Sequence, residues 1–161
     1  MLEFQQGSRE AFEELLARYR NPLYGFFRRR LASRERADDL TQETLLAVIR
    51  ATARYEPRAM VRTYLYAIAL NLLAAERRKA REAPMLPNPE TRPEPEAALW
   101  VKQALERLDP AEREILMLRE YEQLRYEEIA ELLRIPVNTV RSRLFRSRMA
   151  LKSLLEKSCT R

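Results

Sequence analysis

The chain has 161 residues, a formal net charge of +6, two glycines, nine prolines, one cysteine and no histidine. The lack of histidine removes the commonest general base and metal ligand, and a lone Cys159 makes neither an internal disulfide nor a cysteine-rich zinc site. That length suits one domain or two small ones, and a composition led by arginine, leucine, glutamate and alanine favours helix over sheet.

The amino terminus, MLEFQQGSREAF, lacks the apolar core of a signal peptide, and no apolar run approaches the ~18 residues of a membrane span, so a reducing cytoplasm is the expected setting. A helix is expected from about Ser8, which can cap it, with Phe12, Leu15, Leu16 and Tyr19 on one face. Asn21-Pro22 is expected to end or kink it, Pro22 opening a further helix that carries Leu23, Phe26, Phe27 and Leu31. Ser33 is placed to cap the next helical turn.

Residues 37–54, ADDLTQETLLAVIRATAR, read as a helix burying Leu40, Leu45, Val48 and Ile49. Asp38 with Gln42, and Asp39 with Glu43, form four-residue pairs on adjacent rows of its surface. They make an acidic patch in a half, residues 1–81, that holds 16 basic and 10 acidic side chains. Chemistry alone leaves two accounts open: carboxylates favoured in a helix's first turn, or a surface for a basic helical partner. Tyr55-Glu56-Pro57-Arg58-Ala59 is a loop. From about Met60 to Arg81 a helix buries Val61, Tyr64 or Leu65, Ile68, Leu72 and Leu73 and ends in Arg77, Arg78, Lys79 and Arg81.

Residues 82–96 hold five of the nine prolines, a density that excludes regular helix and favours an extended, semi-rigid connector. The expected division is therefore a helical domain 1–81, a linker 82–96 and a second helical domain 97–161, an all-α chain. In the second domain a helix from about Ala97 to Arg107 is expected to bury Leu99, Trp100, Val101, Ala104 and Leu105. Asp109-Pro110-Ala111-Glu112 is a strong helix start, leading to an apolar face of Ile115, Leu116, Leu118 and Tyr121.

Tyr126 to Lys157 reads as two helices with a sharp turn. The first, Tyr126 to Leu133, carries Ile129, Ala130, Leu132 and Leu133. The break is Arg134-Ile135-Pro136, where proline can begin a helix but not sit inside one. The second carries Val140, Leu144, Met149 or Ala150, Leu151 and Leu155 on one side. Arg141, Arg143, Arg146, Arg148 and Lys152 occur without one acidic residue between Val137 and Leu155, with Asn138, Thr139 and Ser142 near its start. A short helix, a tight turn and a longer basic helix is the layout of a helix-turn-helix DNA reader, whose second helix enters the major groove.

Tyr126-Glu127-Glu128-Ile129-Ala130 and Thr139-Val140-Arg141-Ser142-Arg143-Leu144 resemble region four of bacterial extracytoplasmic-function (ECF) sigma factors, initiation subunits of RNA polymerase in the sigma-70 family. Asp-Leu-Thr-Gln-Glu at 39–43 resembles their region two. The resemblance implies a transcription initiation factor that binds core RNA polymerase through Asp38, Asp39, Gln42 and Glu43. It implies that Asn138, Thr139, Arg141, Ser142, Arg143, Phe145 and Arg146 meet the minus-thirty-five promoter element. At the minus-ten element it implies Tyr55, Tyr64, Asn71, Arg77 and Arg78: Asn71 near an unstacked base or its backbone, the arginines on phosphates, and Tyr55 either stacked on a flipped base or packed on the helix below. It also implies a restraining anti-sigma factor, and no cofactor. The chain departs from the family pattern at Tyr64, Leu70, Ala75, Arg134 and Asn138, the last two standing where glycine is usual.

Two other function classes weigh less. A stand-alone helix-turn-helix regulator would have no use for the acidic patch or the second basic helix. An enzyme would lack histidine, a glycine-rich phosphate loop and a metal cluster, and Asp38 and Asp39 are adjacent and point apart on a helix.

Overall fold

The structure is a computed structural model that describes residues 1–56, 60–82 and 96–159. Among them are eight α-helices and no strand: α1 Leu2–Gln5, α2 Arg9–Arg28, α3 Arg34–Ala51, α4 Val61–Glu82, α5 Glu96–Glu106, α6 Pro110–Glu120, α7 Tyr126–Leu133 and α8 Val137–Cys159. A single 3-10 turn, Thr52–Arg54, comes after α3. The chain divides into two compact units, Met1–Glu90 and Thr91–Arg161. Glu82 and Glu96, read from sequence as the ends of a linker, belong to α4 and α5; residues 83–95, and Pro57, Arg58 and Ala59 of the expected loop, lie outside the described residues.

In the first unit α2, α3 and α4 pack on one another. Serine hydroxyls start two of them: Ser8 accepts from the Ala11 amide and Ser33 from the Arg36 amide, each at 3.2 Å. Leu23, Phe26, Phe27, Val48, Leu65 and Ala69 are fully enclosed, and Phe26 meets Phe27 edge-on. Thr41, Thr44 and Thr52 are buried on the same side, each donating its hydroxyl to the carbonyl four residues back, so no polar atom is stranded there. The short α1 was not visible in the sequence; it is held by a Phe4–Phe12 ring stack at 4.9 Å.

Pro22 neither ends nor divides α2, which runs through it as one helix of 20 residues. Pro22 and Arg18 both face solvent, so the Arg18 carbonyl that loses its amide partner is open to water. The buried residues that follow Pro22, Leu23, Phe26 and Phe27, carry the helix onward.

In the second unit α6, α7 and α8 pack together, with α5 laid on α6 and α8. Asp109 caps α6 by accepting from the amides of Ala111 at 2.9 Å and Glu112 at 3.2 Å, with Pro110 in the first position. Ile115, Leu116, Leu118, Leu124, Ile129, Val140 and Leu144 form the core. Four residues expected to be buried are exposed: Leu99 and Trp100 on α5, Tyr121 at the end of α6, and, in the first unit, Ile49. On α5 the residue enclosed is Ala104, because a small side chain lets that helix approach closely, and the large neighbours are left outside.

The turn between α7 and α8 is closed by two bonds, Arg134 amide to Glu131 carbonyl at 3.3 Å and Ile135 amide to Ala130 carbonyl at 3.0 Å. Arg134 takes the left-handed conformation, φ 54° and ψ 46°. This is the two-bond C-terminal cap that glycine usually supplies. Asn138, the other position where the family favours glycine, lies inside the first turn of α8 and has ordinary helical geometry.

Candidate nucleic-acid interface

The register of α8 separates two faces. Val140, Leu144 and Ser147 are buried against the rest of the second unit. At about 100° per residue, Asn138, Arg141, Ser142, Phe145 and Met149 fall on the opposite side, and all five are exposed. Phe145 stands at the middle of that face, 67% exposed. Arg141 leans on Asn138, donating to its side-chain oxygen at 3.3 Å, and Ser142 donates to the Thr139 carbonyl at 3.1 Å. Thr139 and Arg143 are half-buried at the edges of the face. Two polar side chains and one arginine, with the apolar Phe145 and Met149 among them, match the donors, acceptors and thymine methyl groups of a major groove.

Two arginines are not free. Arg146 donates through Nε to Glu112 at 2.9 Å, and Arg148 donates through Nη2 to Glu120 at 2.6 Å. Glu120 pushes the Arg148 guanidinium above its already high ordinary value. The stretch of α8 between Val137 and Leu155 holds no acid of its own, and the partners come instead from α6. Arg146 and Arg148, two residues apart, lie on opposite flanks of the buried ridge, whereas Glu112 and Glu120 are separated by roughly 12 Å along α6. The axis of α6 therefore crosses α8 steeply, pinned on both sides.

In the first unit, Tyr64, Asn71 and Arg78 are spaced at seven residues and share one face of α4. Asn71 and Arg78 are exposed, as is Arg77, about 100° away around the helix. Tyr64 is partly buried against the cluster of Leu15, Val48 and Leu65. Of the two positions expected for Tyr55, the folded chain shows it packed. The residue is 7% exposed and its ring meets Tyr64 edge-on at 5.2 Å. Burial, with Tyr64 and Tyr19 adding to it, pushes its phenol above the usual value. Tyr55 thus packs against Tyr64.

On α3, Asp39, Gln42 and Glu43 are exposed and Asp38 is half-buried. Gln42 donates to Asp38 at 3.1 Å, and Arg36 donates to Asp39 at 2.9 Å. Beside these lies a feature not anticipated from the sequence: an open apolar groove of about 610 Å³ between α2 and α3, lined by Phe12, Leu16, Leu45, Leu46, Ile49 and Gln42 among others. Leu46 is 48% exposed. The signal was present in the adjacent pairs Leu45-Leu46 and Val48-Ile49, which make an apolar stripe too wide for one buried face. Among the described residues no group of three or more histidine, cysteine, aspartate or glutamate side chains is placed to hold a metal ion, and no helix is long and apolar enough to cross a membrane.

Comparison with known proteins agrees with this geometry. Residues 15–83 match the family description Sigma-70 region 2, and residues 98–151 match Sigma-70, region 4. The RNA polymerase sigma-H factor of Pseudomonas aeruginosa is 33% identical, over 94% of this chain and 90% of its own. The RNA polymerase sigma factor CarQ of Myxococcus xanthus is 32% identical, over 96% and 95%. The ECF RNA polymerase sigma-E factor of Haemophilus influenzae is 30% identical, over 94% and 91%. Among solved structures, CnrH in complex with the cytosolic domain of CnrY superposes with a TM-score of 0.74 at 26% identity, covering 97% of this chain and 94% of that one. The region 2 match also disfavours a stand-alone helix-turn-helix regulator. This chain belongs to the ECF group of the sigma-70 family and is an RNA polymerase sigma factor.

Proposed function

We propose a division of labour among three surfaces of this sigma factor. The exposed face of α8, with Asn138, Arg141, Ser142, Phe145 and Arg146, enters the major groove of the minus-thirty-five element. The α4 face of Tyr64, Asn71 and Arg78, with Arg77 beside it, holds the opened minus-ten strand: Asn71 meets an unstacked base and the arginines meet phosphates. The α3 acids Asp38, Asp39 and Glu43, with Gln42, grip core RNA polymerase, and the apolar groove beside them extends that contact. Carboxylates repel a duplex and complement a basic helical protein surface, so this patch belongs to the protein partner. Two weak DNA contacts on one chain gain from effective concentration once polymerase holds both, and specificity then requires the right spacing between the elements.

The observation that carries this reading is the segregation on α8: its apolar ridge is enclosed and its polar, cationic face is open. A restraining anti-sigma factor is part of the same proposal, in line with CnrH, which is seen with the cytosolic domain of another protein.

The test is the double charge reversal Asp39→Lys with Glu43→Lys. Core polymerase binding is expected to be lost, while helical content and duplex binding by the full chain persist. Unchanged affinity for core polymerase would overturn the assignment of α3.

A further inference from the structure

The two arginine–glutamate pairs between α8 and α6 differ in what they leave available. Arg148 gives both Nε and Nη2 to Glu120, which occupies one whole edge of its guanidinium. Arg146 gives Glu112 its Nε alone, at 2.9 Å. Its two Nη groups have no partner among the described residues, and its side chain is 60% exposed while that of Glu112 is 20% exposed. Glu112 is itself fixed: it lies in the first turn of α6, and its amide is held by the Asp109 cap.

A free arginine has much rotamer freedom to lose on binding, and a tether through Nε removes part of it beforehand. What remains presented is the Nη1–Nη2 edge, a planar pair of donors that fits the N7 and O6 acceptors of a guanine. The carboxylate has a second effect. It partly cancels the charge that would draw Arg146 onto any phosphate, which disfavours sequence-independent contact.

We propose that Glu112 is a positioning residue for promoter reading: it orients Arg146 so that its outer edge meets one guanine in the minus-thirty-five duplex. This rests on the assignment of Arg146 to the DNA-reading face, and the experiment separates the two claims. Holoenzyme reconstituted from core polymerase and the full chain is used to select duplexes from a pool randomised across the minus-thirty-five region. Selection is repeated with Arg146→Ala, Glu112→Ala, Glu112→Gln and Glu120→Ala, and thermal unfolding of each variant is recorded.

Arg146→Ala is expected to flatten the preference at one G·C position. Glu112→Ala is expected to reduce the preference at that same position about tenfold, with little change elsewhere. Glu112→Gln keeps an oxygen that can accept from Nε and is expected to retain most of the preference. Glu120→Ala, which releases the other arginine, is expected to leave that position unchanged. If Arg146→Ala alters no position, the underlying assignment fails and the proposal with it. If Arg146→Ala flattens a position that Glu112→Ala leaves intact, or if Glu112→Ala weakens all sequences equally, the assignment stands and the positioning role is overturned.

Discussion

Arg36 grips Glu76 through two parallel hydrogen bonds, Nε to Oε1 at 2.8 Å and Nη2 to Oε2 at 2.6 Å, while its Nη1 reaches Asp39 at 2.9 Å. One guanidinium thereby joins the acidic surface of α3 to α4, one residue before Arg77. The bond from Arg36 holds the Glu76 carboxyl below its ordinary range, against the opposing effect of burial. The folded chain keeps this carboxylate ionised where the unfolded chain would take up a proton. Its contribution is complete above about pH 5 and is lost as pH falls through the lowered folded value. Glu76→Gln is expected to cost about 1 kcal/mol at neutral pH, a modest figure because the Arg36 side chain is 38% exposed and water screens the pair. Urea unfolding at a series of pH values checks this: the gap between the wild type and Glu76→Gln should close on acidification.

The two positions where the family favours glycine carry opposite predictions. Arg134 has φ 54° and holds a left-handed cap, so Arg134→Gly is expected to stabilise the chain by about 1 kcal/mol. Asn138 is helical, so Asn138→Gly is expected to destabilise it by up to about 1 kcal/mol. Melting temperatures of the two variants should move in opposite directions.

Pro22 sits on the solvent side of an unbroken α2. Pro22→Ala restores a main-chain hydrogen bond to the Arg18 carbonyl without disturbing Leu23, Phe26 or Phe27. A gain of roughly 1–3 kcal/mol is expected, read as a higher melting temperature with unchanged helical content outside that turn.

Two phenylalanines test the difference between core and surface. Phe26 is fully enclosed, and Phe26→Ala is expected to cost about 3–5 kcal/mol. Phe145 is 67% exposed, and Phe145→Ala is expected to change stability by less than about 0.5 kcal/mol while lowering affinity for the minus-thirty-five duplex. Denaturant titration measures the first effect and duplex binding by holoenzyme the second.

Local chemistry made much of this legible. Ser8, Ser33 and Asp109 are caps because a short side-chain oxygen ahead of an apolar repeat has few other uses, and α7 spans Tyr126–Leu133 because Pro136 forbids continuation. The apolar ridge of α8 was legible from Val140 and Leu144, but its arginines do not share one face: Arg141 lies on the open side, Arg143 is half-buried, and Arg146 and Arg148 lie on opposite flanks. What escaped depended on neighbours distant in sequence. Pro22 looked like a break because the strength of the Phe26 and Phe27 packing that carries α2 through it cannot be read locally. Trp100 and Leu99 looked like anchors because size is visible in a sequence and the direction of approach of a helix is not. Glu112 and Glu120 were invisible as partners of Arg146 and Arg148, which lie 34 and 28 residues away.

The paired amide bonds behind Arg134 set the angle between α7 and α8 before any duplex arrives. No loop has to condense there when DNA is met, so little ordering entropy is charged to the encounter. Capture by this half of the protein is then governed by diffusion and ionic strength, and its speed is expected to fall steeply with added salt while depending only weakly on temperature.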